Sequence, residues 1–265
     1  MSITLIQVDA FSATPFQGNP AAVCLLTQPK GDAWLQELAK EMNQPATAVL
    51  TPHEDPFKRA YRLRWFTPQV ELEICGHGTL ASAHVLWTEG HLRPTDTARF
   101  YTKSGVLTCS RNMQGWILMD FPAMVLTAVS PPPALNAPNA VYVGHNGDDY
   151  LVELGSETAV RAYTPDFSQL STLDMRSLII TSPADDSQYD FVSRVFAPSL
   201  GIPEDAATGS AHCTLGPYWQ QKLGHDRLLG HQLSARTGVI GVHVKDNGVQ
   251  IGGKAVTVLK GNLQL

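Results

Sequence analysis

The chain has 265 residues, of which 43% are hydrophobic and 16% are charged, and its formal net charge is −5. This composition provides enough apolar side chains for a buried core and too little charge for a disordered chain. The sequence contains no block of lysine or arginine, so it gives no electrostatic support for binding nucleic acid or an anionic membrane.

The cysteine spacing and the hydropathy pattern favour a protein of a reducing compartment. Cys24, Cys75, Cys109 and Cys213 form no CxxC pair, which argues against a disulfide framework or a zinc knuckle. The first residues lack the basic region and the long apolar core of a signal peptide. No stretch approaches the roughly 20 apolar residues that a membrane-spanning helix needs. We therefore expect a cytoplasmic protein with no membrane partner.

The first half of the chain is predicted to contain short strands and two helices. Turn residues separate apolar, β-branched runs, which is typical of strands. The predicted strands are 3–8, 21–26, 48–50, 61–66, 98–101, 106–110 and 116–120. A helix with Asp32 as its cap is predicted to end near Met42, because apolar residues recur at helical spacing between them. The small residues of 74–87 predict a second helix, buried on most sides.

The second half is predicted to be mostly strands, interrupted by one helix at 207–222. Its predicted strands are 140–143, 150–154, 178–181, 191–196, 238–244 and 249–251. The proline-rich stretch 130–138 is the most linker-like segment, since stacked prolines oppose both helices and sheet interiors. A last strand, 255–259, is expected to return to the first half. These elements predict an α+β fold.

Two segments that lie far apart in the chain resemble each other. Residues 64–68 read RWFTP and residues 194–198 read RVFAP, and each run is followed by a glycine-containing turn and a helix of small residues. With a three-residue insertion, Gly76 aligns with Gly209 and His77 with Ser210. A period near 130 residues indicates two related domains, because solenoid repeats have periods of roughly 20–50 residues.

The repeat predicts one domain at 1–122, completed by 256–265, and a second at 123–255. A glycine near a helix N-terminus lets a ligand approach the backbone, where free N–H groups bind anions such as carboxylates. Two such helices facing each other across a domain interface would form an anion-binding cleft. The alternative is that the glycines only permit tight packing.

Three ionisable side chains flank the two turns. Asp205 follows Glu204 just before the second turn, where an acidic residue serves either as a helix cap or as a general acid/base. His77 lies in the first turn of its helix, where the positive end of the dipole favours a neutral imidazole that donates or carries a proton. Cys75 is either a thiol acid/base or a small buried hydrophobe. The pair Cys75-x-His77 is too sparse for a metal site.

Common catalytic signatures are absent from the sequence. It contains no GxSxG, P-loop, HExxH or GxGxxG motif. This absence argues against a hydrolase nucleophile elbow, an NTPase and a dinucleotide-binding enzyme. We expect no metal site.

Three motifs, in order along the chain, resemble those of the phenazine-biosynthesis (PhzF-like) family. The first lies in 8–23 and contains FQGNP, and the second lies in 64–81 and contains CGHGT. The third lies in 194–212, with ED followed by TGS. The similarity extends over nearly the whole chain, and three ordered motifs are far more specific than any one of them.

The resemblance implies the diaminopimelate-epimerase-like fold, with two pseudo-symmetric domains, each a β-barrel-like sheet around a central helix. It also implies proton transfer without a cofactor, which in the phenazine enzyme isomerises the double bonds of a dihydro-hydroxyanthranilate. The implied catalytic residues are Asp205 and His77. The substrate-binding residues expected with them are Asn19, Gly76, Gly78, Thr208, Gly209 and Ser210. Relatives are often dimers, so the resemblance favours a homodimer.

One position departs from the family pattern. The family has Asn-Leu-Ser-Glu-Thr after its first helix, and that glutamate is its principal acid/base. Here residues 43–47 read NQPAT, so Ala46 occupies the glutamate position, and a methyl group cannot carry a proton. Two hypotheses remain. One is an isomerase or epimerase for a small carboxylate-bearing substrate, with Asp205 as the remaining acid/base, and the other is a catalytically silent binding protein of the same fold.

Overall fold

A computed structural model of the chain describes residues 2–54 and 59–264. The chain divides into two compact units. Unit 1 comprises Met1–Asp120 with Gly252–Leu265, and unit 2 comprises Phe121–Ile251. The domain limits expected from the sequence stay a prediction. In the part of the chain that is described, no helix is long and apolar enough to cross a membrane.

In its described residues, unit 1 is a mixed sheet with two helices. Its strands are β1 (Ser2–Ala10), β2 (Asn19–Leu25), β3 (Ala46–Pro52), β4 (Ala60–Phe66), β5 (Glu71–Leu72), β6 (Ala98–Thr102), β7 (Gly105–Arg111), β8 (Ile117–Phe121) and β18 (Ala255–Gln264), and its helices are α1 (Asp32–Met42) and α2 (Gly76–Thr88). The strand order is β18-β1-β2-β3-β4-β6-β7-β8, with β5 paired to β4. The pairs β2–β3 and β4–β6 are parallel, and the others are antiparallel.

Unit 2 has a second mixed sheet and three helices. Its strands are β9 (Thr127–Ala128), β10 (Tyr142–His145), β11 (Asp149–Glu153), β12 (Ser177–Pro183), β13 (Phe191–Ala197), β14 (Ile202–Asp205), β15 (Arg227–Gln232), β16 (Gly238–Lys245) and β17 (Gly248–Gly253), and its helices are α3 (Glu157–Ala162), α4 (Phe167–Leu170) and α5 (His212–Leu223). The strand order is β9-β10-β11-β12-β13-β15-β16, with β14 paired to β13. Here β11–β12 and β13–β15 are parallel.

The two units repeat the same series of strand pairings. The series β1-β2-β3-β4-β6-β7 alternates antiparallel and parallel pairs in the same order as β10-β11-β12-β13-β15-β16. Each parallel pair requires a crossover connection, and helices occupy these connections. The connections β5-α2-β6 and β14-α5-β15 are equivalent. The predicted α+β class and the pseudo-symmetry of the two halves are therefore confirmed.

Strands β1, β2 and β3 of unit 1 are buried on both faces. Because side chains alternate along a strand, Cys24 and Val49 face α1 and join a core cluster with Leu35 and Leu38. The other face of β1, β2 and β3 packs against α2. Continuous burial along β2 and β3 explains their uninterrupted apolar sequences.

Helix α2 is buried on most sides, as its small residues predict. Gly78 lies directly against Trp65, since a Cβ atom at Gly78 would be 2.8 Å from Cδ1 of that indole. Ala81 and Ala83 are also fully buried. The helix begins two residues later than predicted, with Cys75 at the N-cap position.

The proposed caps and limits of two helices are wrong. Gly31, and not Asp32, occupies the N-cap position of α1. Asp32 is the first helical residue, and its Oδ1 lies 2.8 Å from Nη1 of Arg64. Helix α5 begins at His212, five residues later than predicted, because the preceding residues form a turn that side-chain hydrogen bonds hold.

The prediction of a single helix in the second half is also wrong, since α3 and α4 are present. Both are short, and the N-cap residues Ser156 and Asp166 were the sequence signal for them, because each accepts main-chain N–H bonds. Strand β15 was missed as well. The proline-rich stretch contains a 3₁₀ turn, Pro133–Leu135, whose leucine is fully buried, so it is part of a core and not a linker.

An arginine–glutamate ion pair joins equivalent strands in both units. Arg64 of β4 donates to Glu71 of β5 through Nε and Nη2, at 2.7 and 2.8 Å. Arg194 of β13 donates to Glu204 of β14 through the same two nitrogens, at 2.8 and 3.0 Å. Each guanidinium also lies over the phenylalanine ring two residues further on, at 5.0 and 4.9 Å. This bidentate pair fixes the short strand that precedes each equivalent helix.

We expect Arg194→Met to destabilise the protein, because it leaves the half-buried carboxylate of Glu204 without its charged donor. The same guanidinium also donates to the main-chain carbonyl of Tyr163 at 2.7 Å. Loss of hydrogen bonds to a charged group predicts a decrease of about 2–3 kcal/mol in the free energy of unfolding. Urea denaturation measures this change. Arg93→Met, which removes an exposed pair with Asp96, is the control and should change little. Equal effects of the two substitutions would contradict the prediction.

Candidate active site

The second glycine-containing turn brings four of the predicted site residues together. Asp205 ends β14, Thr208, Gly209 and Ser210 follow, and α5 begins at His212. Oγ1–H of Thr208 donates to Oδ2 of Asp205 at 2.6 Å. Gly209 is buried, and the other three are half-buried. An oriented carboxylate therefore lies three residues before a Gly-Ser pair that leads into a 12-residue helix.

Gln232 of β15, which the sequence analysis missed, holds this turn. It is fully buried, and its Oε1 accepts the main-chain N–H of Thr208 at 2.8 Å. Its Nε2 donates to the main-chain carbonyl of Asp205 at 2.8 Å and to Oγ1 of Thr208 at 3.1 Å. The Thr208 hydroxyl accepts a hydrogen bond from Nε2 of Gln232 and donates one to Oδ2 of Asp205, so the direction of its O–H bond is fixed. No local sequence pattern marks Gln232, because it is distant in sequence from the turn.

His212 supports the turn from inside unit 2. Its side chain is fully buried, and Nδ1 lies 2.8 Å from the carbonyl oxygen of Thr208, so Nδ1 carries the proton and donates. Burial lowers the pKa of His212 to about 4, which keeps the ring neutral at pH 7. The ring also packs against Phe191, with 5.7 Å between centroids.

Neither acidic residue before the turn caps the helix. Ala211 occupies the N-cap position of α5 and makes no side-chain cap bond. Glu204 binds Arg194, and Asp205 accepts from Thr208. The helix-cap interpretation of Glu204 and Asp205 is therefore wrong.

The first glycine-containing turn lies at the start of α2. Cys75 is the N-cap residue, and Gly76, His77 and Gly78 are the first three residues of the helix. Sγ of Cys75 lies 3.5 Å from Nδ1 of His77, and the two residues are only 6% and 9% exposed. The carbonyl of Cys75 accepts the N–H and Oγ1–H of Thr79, at 3.0 and 2.6 Å. A thiol and an imidazole thus lie side by side at the positive end of a 13-residue helix.

Gly78 has a packing role. A Cβ atom there would lie 2.8 Å from Cδ1 of Trp65 and 3.1 Å from Sγ of Cys75, so any larger residue would displace one of them. The indole Nε1 of Trp65 is buried and has no hydrogen-bond partner among the described residues. A role of Gly78 in substrate binding stays a prediction.

Asn19 and Ala46 begin two adjacent parallel strands, β2 and β3, and both are fully buried. Ala21 pairs with Ala46. Gly18, just before Asn19, has a φ of 69°, and a Cβ atom there would be 2.2 Å from the carbonyl oxygen of Ala10. Only glycine fits this approach, so the turn into β2 depends on it.

The strand register aligns the two turns. In unit 1, Trp65, the residue after Arg64, pairs with Leu72. In unit 2, Val195, the residue after Arg194, pairs with Asp205. Three residues further along the chain, unit 1 has Cys75 and unit 2 has Thr208. Unit 1 therefore has an aliphatic side chain at the position of the acid and an ionisable thiol at the position of the hydroxyl.

The structure does not assemble a metal centre from the residues it covers. Among residues 2–54 and 59–264, no group of three or more His, Cys, Asp and Glu side chains is arranged to hold a metal ion. The side chains at each turn instead suit proton transfer and hydrogen bonding to a small polar ligand.

Comparisons with known proteins agree with one another. A family profile described as phenazine biosynthesis-like protein matches residues 8–261. An uncharacterized isomerase of Halalkalibacterium halodurans is 44% identical over the full length of both chains. The crystal structure of a PhzF-family phenazine biosynthesis protein from Enterococcus faecalis has a TM-score of 0.93 at 37% identity, covering all of both chains. A probable proline racemase from Agrobacterium radiobacter shares the fold, with a TM-score of 0.66 at 12% identity over 99% of this chain and 93% of that one.

The buried ring of His212 predicts a pH-dependent stability. Because its pKa is depressed to about 4 from 6.5, the unfolded chain takes up the proton first as the pH falls. The stability present above pH 6.5 should therefore decrease towards pH 4, by on the order of 3 kcal/mol for this group. His212→Asn keeps a donor near the Thr208 carbonyl but does not titrate, so its unfolding free energy should fall less steeply over that range.

Urea denaturation at a series of pH values measures the two slopes. His91→Asn, at an exposed position, is the control and should keep the wild-type slope. If His212→Asn has the wild-type slope as well, the buried ring is not the source of the pH dependence.

Proposed function

The chain belongs to the phenazine biosynthesis-like (PhzF) family, as its motifs predict, and on that basis we propose that it moves a proton on a small carboxylate-bearing substrate. Its fold is the predicted diaminopimelate-epimerase-like fold, which probable proline racemases share. Relatives are named isomerases, and the family and fold are those of isomerases and epimerases that need no cofactor. The finer assignment, of substrate class and residue roles, is our proposal.

The observation that carries the proposal is the hydrogen-bonded group of Asp205, Thr208, Gln232 and His212 in unit 2. Asp205 is the acid/base, and Thr208 holds one of its oxygens at 2.6 Å. Gln232 and His212 fix Thr208 in turn, each at 2.8 Å. A general acid/base needs a carboxyl group whose position varies little, and the three buried or half-buried partners supply this.

The glycine-containing turns are the proposed substrate-binding elements. The first N–H groups of a helix have no partner inside the helix, and the dipole adds positive potential, so both favour a carboxylate. Gly209 and Ser210 precede α5, and Gly76 and His77 begin α2. We assign the substrate carboxylate or hydroxyl to these residues. Asn19 and Thr208 are the further polar contacts that we assign to substrate.

The reaction follows from these roles. Asp205 removes a proton from a carbon next to the carboxylate or to a double bond, and the electron pair delocalises into that group. N–H donors at the helix termini stabilise the negative charge that develops on the substrate oxygens. Return of the proton to a conjugated carbon gives a double-bond isomer, and delivery of a solvent proton to the opposite face of the same carbon gives an epimer.

The second candidate function is a binding protein without turnover. The observation that favours it is Ala46, which lies fully buried at the start of β3 where the family pattern has a glutamate. Loss of one general acid/base costs on the order of 10²–10⁴ in rate. Such a protein would keep the anion-binding turns and lose the isomerisation.

We expect exchange of a substrate C–H proton with solvent when the protein is incubated in D₂O with dihydro-hydroxyanthranilate and a panel of amino and hydroxy acids. Asp205→Asn keeps the size of the side chain and cannot carry the proton, so it should lower the exchange rate by about 10²–10⁴. Proton NMR follows the loss of the C–H signal. Asp174→Asn, at an exposed position, is the matched control and should leave the rate unchanged.

Exchange that survives unchanged in Asp205→Asn would refute the role of that carboxylate. Saturable binding of one compound without any exchange would favour the binding protein.

We expect Ala46→Glu to increase the exchange rate on a family substrate by about 10²-fold or more, because it restores the carboxylate that the family pattern has there. Ala46→Gln has the same size and cannot transfer a proton, so it is the matched control and should not increase the rate. Burial of a carboxylate lowers the free energy of unfolding. Urea denaturation therefore shows whether both variants remain folded. If the glutamate variant is folded and no faster than the glutamine variant, the absence of that glutamate does not limit the activity.

A further inference from the structure

One face of the unit 1 sheet carries positive charge that the proposed function does not involve. Arg62 and Arg64 of β4 and Lys103, which follows β6, line a cavity there together with the rings of His53 and Tyr101. We propose that this cationic cluster is a second binding site, for a small molecule that has a phosphoryl group and a planar ring. The inference is independent of the proposed function, because none of the residues assigned to its substrate lines this cavity.

Strand geometry places the cluster on the face of the sheet opposite to α2. Trp65 contacts α2 at Gly78, and side chains alternate along a strand, so Arg64 and Arg62 lie on the other face. Tyr101 pairs with Arg62 across β4 and β6, and cross-strand partners share a face. The open cavity over this face has a volume of about 420 Å³. Small-molecule sites have volumes of about 300–1,000 Å³, so the cavity can hold more than an inorganic ion.

The cavity lies where the pairing of β4 changes. Residues 60–62 of β4 pair with β6, and residues 65–66 pair with β5. Leu63 and Arg64 therefore lie between the two partner strands, and both line the cavity. Strand β6 ends at Thr102, and Lys103 lies in the turn to β7. The connectivity of the sheet thus leaves an opening beside the cationic side chains.

Unit 2 has a packed core at the equivalent place. The strand register makes Val192 equivalent to Arg62 and Leu233 equivalent to Lys103. Val192 and Leu233 belong to one core cluster and are only 1% and 8% exposed. The strand arrangement common to both units therefore accepts aliphatic side chains at these two positions. In unit 1 charged side chains replace them, and a cavity replaces the core.

The charges on this face of unit 1 do not balance. Strands β3, β4, β6 and β7 contain no aspartate or glutamate. Among the described residues, the carboxylates paired with the cluster are Glu71, which binds Arg64 and Lys103, and Asp32, which binds Arg64. Arg62 is exposed and has no ion pair with a described residue. Since the whole chain has a net charge of −5, the excess of positive charge is local to this face.

The chemistry of the cluster selects the ligand. Two carboxylates already engage Arg64, whereas the guanidinium of Arg62 can bind two phosphoryl oxygens through parallel hydrogen bonds. A phosphate monoester has a charge of about −1.5 to −2 at pH 7, so it gains more from the excess positive charge than a monocarboxylate does. His53 and Tyr101 stack with 3.7 Å between their ring centroids and 9° between their planes. A planar ring of the ligand can pack on this pair.

Isothermal titration calorimetry of the whole protein at pH 7 tests the inference with three probes. Phenyl phosphate combines the phosphoryl group with a ring, inorganic phosphate lacks the ring, and benzoate has the ring with a single negative charge. We expect phenyl phosphate to bind at one site per chain. It should bind about tenfold more tightly than either of the other probes, because each of them lacks one of the two recognised groups.

A matched pair of variants locates the site. Arg62→Gln should weaken the binding of phenyl phosphate by about tenfold or more, because charge-assisted hydrogen bonds are lost. Arg111→Gln removes the same charge at an exposed position of unit 1 that does not line the cavity, and its affinity should stay within about twofold of wild type. Thermal unfolding shows that both variants, which change exposed side chains, are folded.

The other outcomes overturn the inference or one part of it. Phenyl phosphate that does not bind saturably to wild type overturns the site. Binding that both variants weaken equally, or that neither weakens, places the anion elsewhere and also overturns it. Equal affinities for phenyl phosphate and inorganic phosphate refute the planar ring, and equal affinities for phenyl phosphate and benzoate refute the phosphoryl group.

Discussion

The arginine–glutamate pair that joins two strands in each unit is the constraint on which the site depends. In unit 1 it fixes β5, and in unit 2 it fixes β14, and each short strand leads directly into a glycine-containing turn and a buried helix. A planar guanidinium with two parallel hydrogen bonds defines both the distance and the orientation of the strand it holds. The equivalent residues Thr208 of unit 2 and Cys75 of unit 1 each lie three residues after the end of that strand.

One scaffold thus carries two different sets of chemical groups. Unit 2 has Asp205 with Thr208, and unit 1 has Leu72 with Cys75 at the equivalent positions. Duplication of the fold preserved the ion pair, the strand order and the helix, all of which packing requires. The side chains at the helix start differ between the units, with Cys75 in unit 1 and Thr208 in unit 2. Differences in chemistry between the units are concentrated there.

Ala46 shows how packing and chemistry separate. It is fully buried at the start of β3, where a methyl group packs without any polar partner. Whatever proton transfer the protein performs must then use groups supplied elsewhere. Asp205 is held by its three-residue hydrogen-bond network, and the pair Cys75 and His77 lies at the start of α2.

The sequence by itself determined the α+β class, the family, the duplication and the alanine at position 46. These features are local runs or ordered motifs, and hydrophobic periodicity and turn residues report them directly. Only the tertiary structure decided which side chains hold the acidic turn. Gln232 reaches Asp205 from 27 residues away, and Trp65 meets Gly78 from another element. Such contacts depend on strand register and helix packing, which no short stretch of sequence encodes.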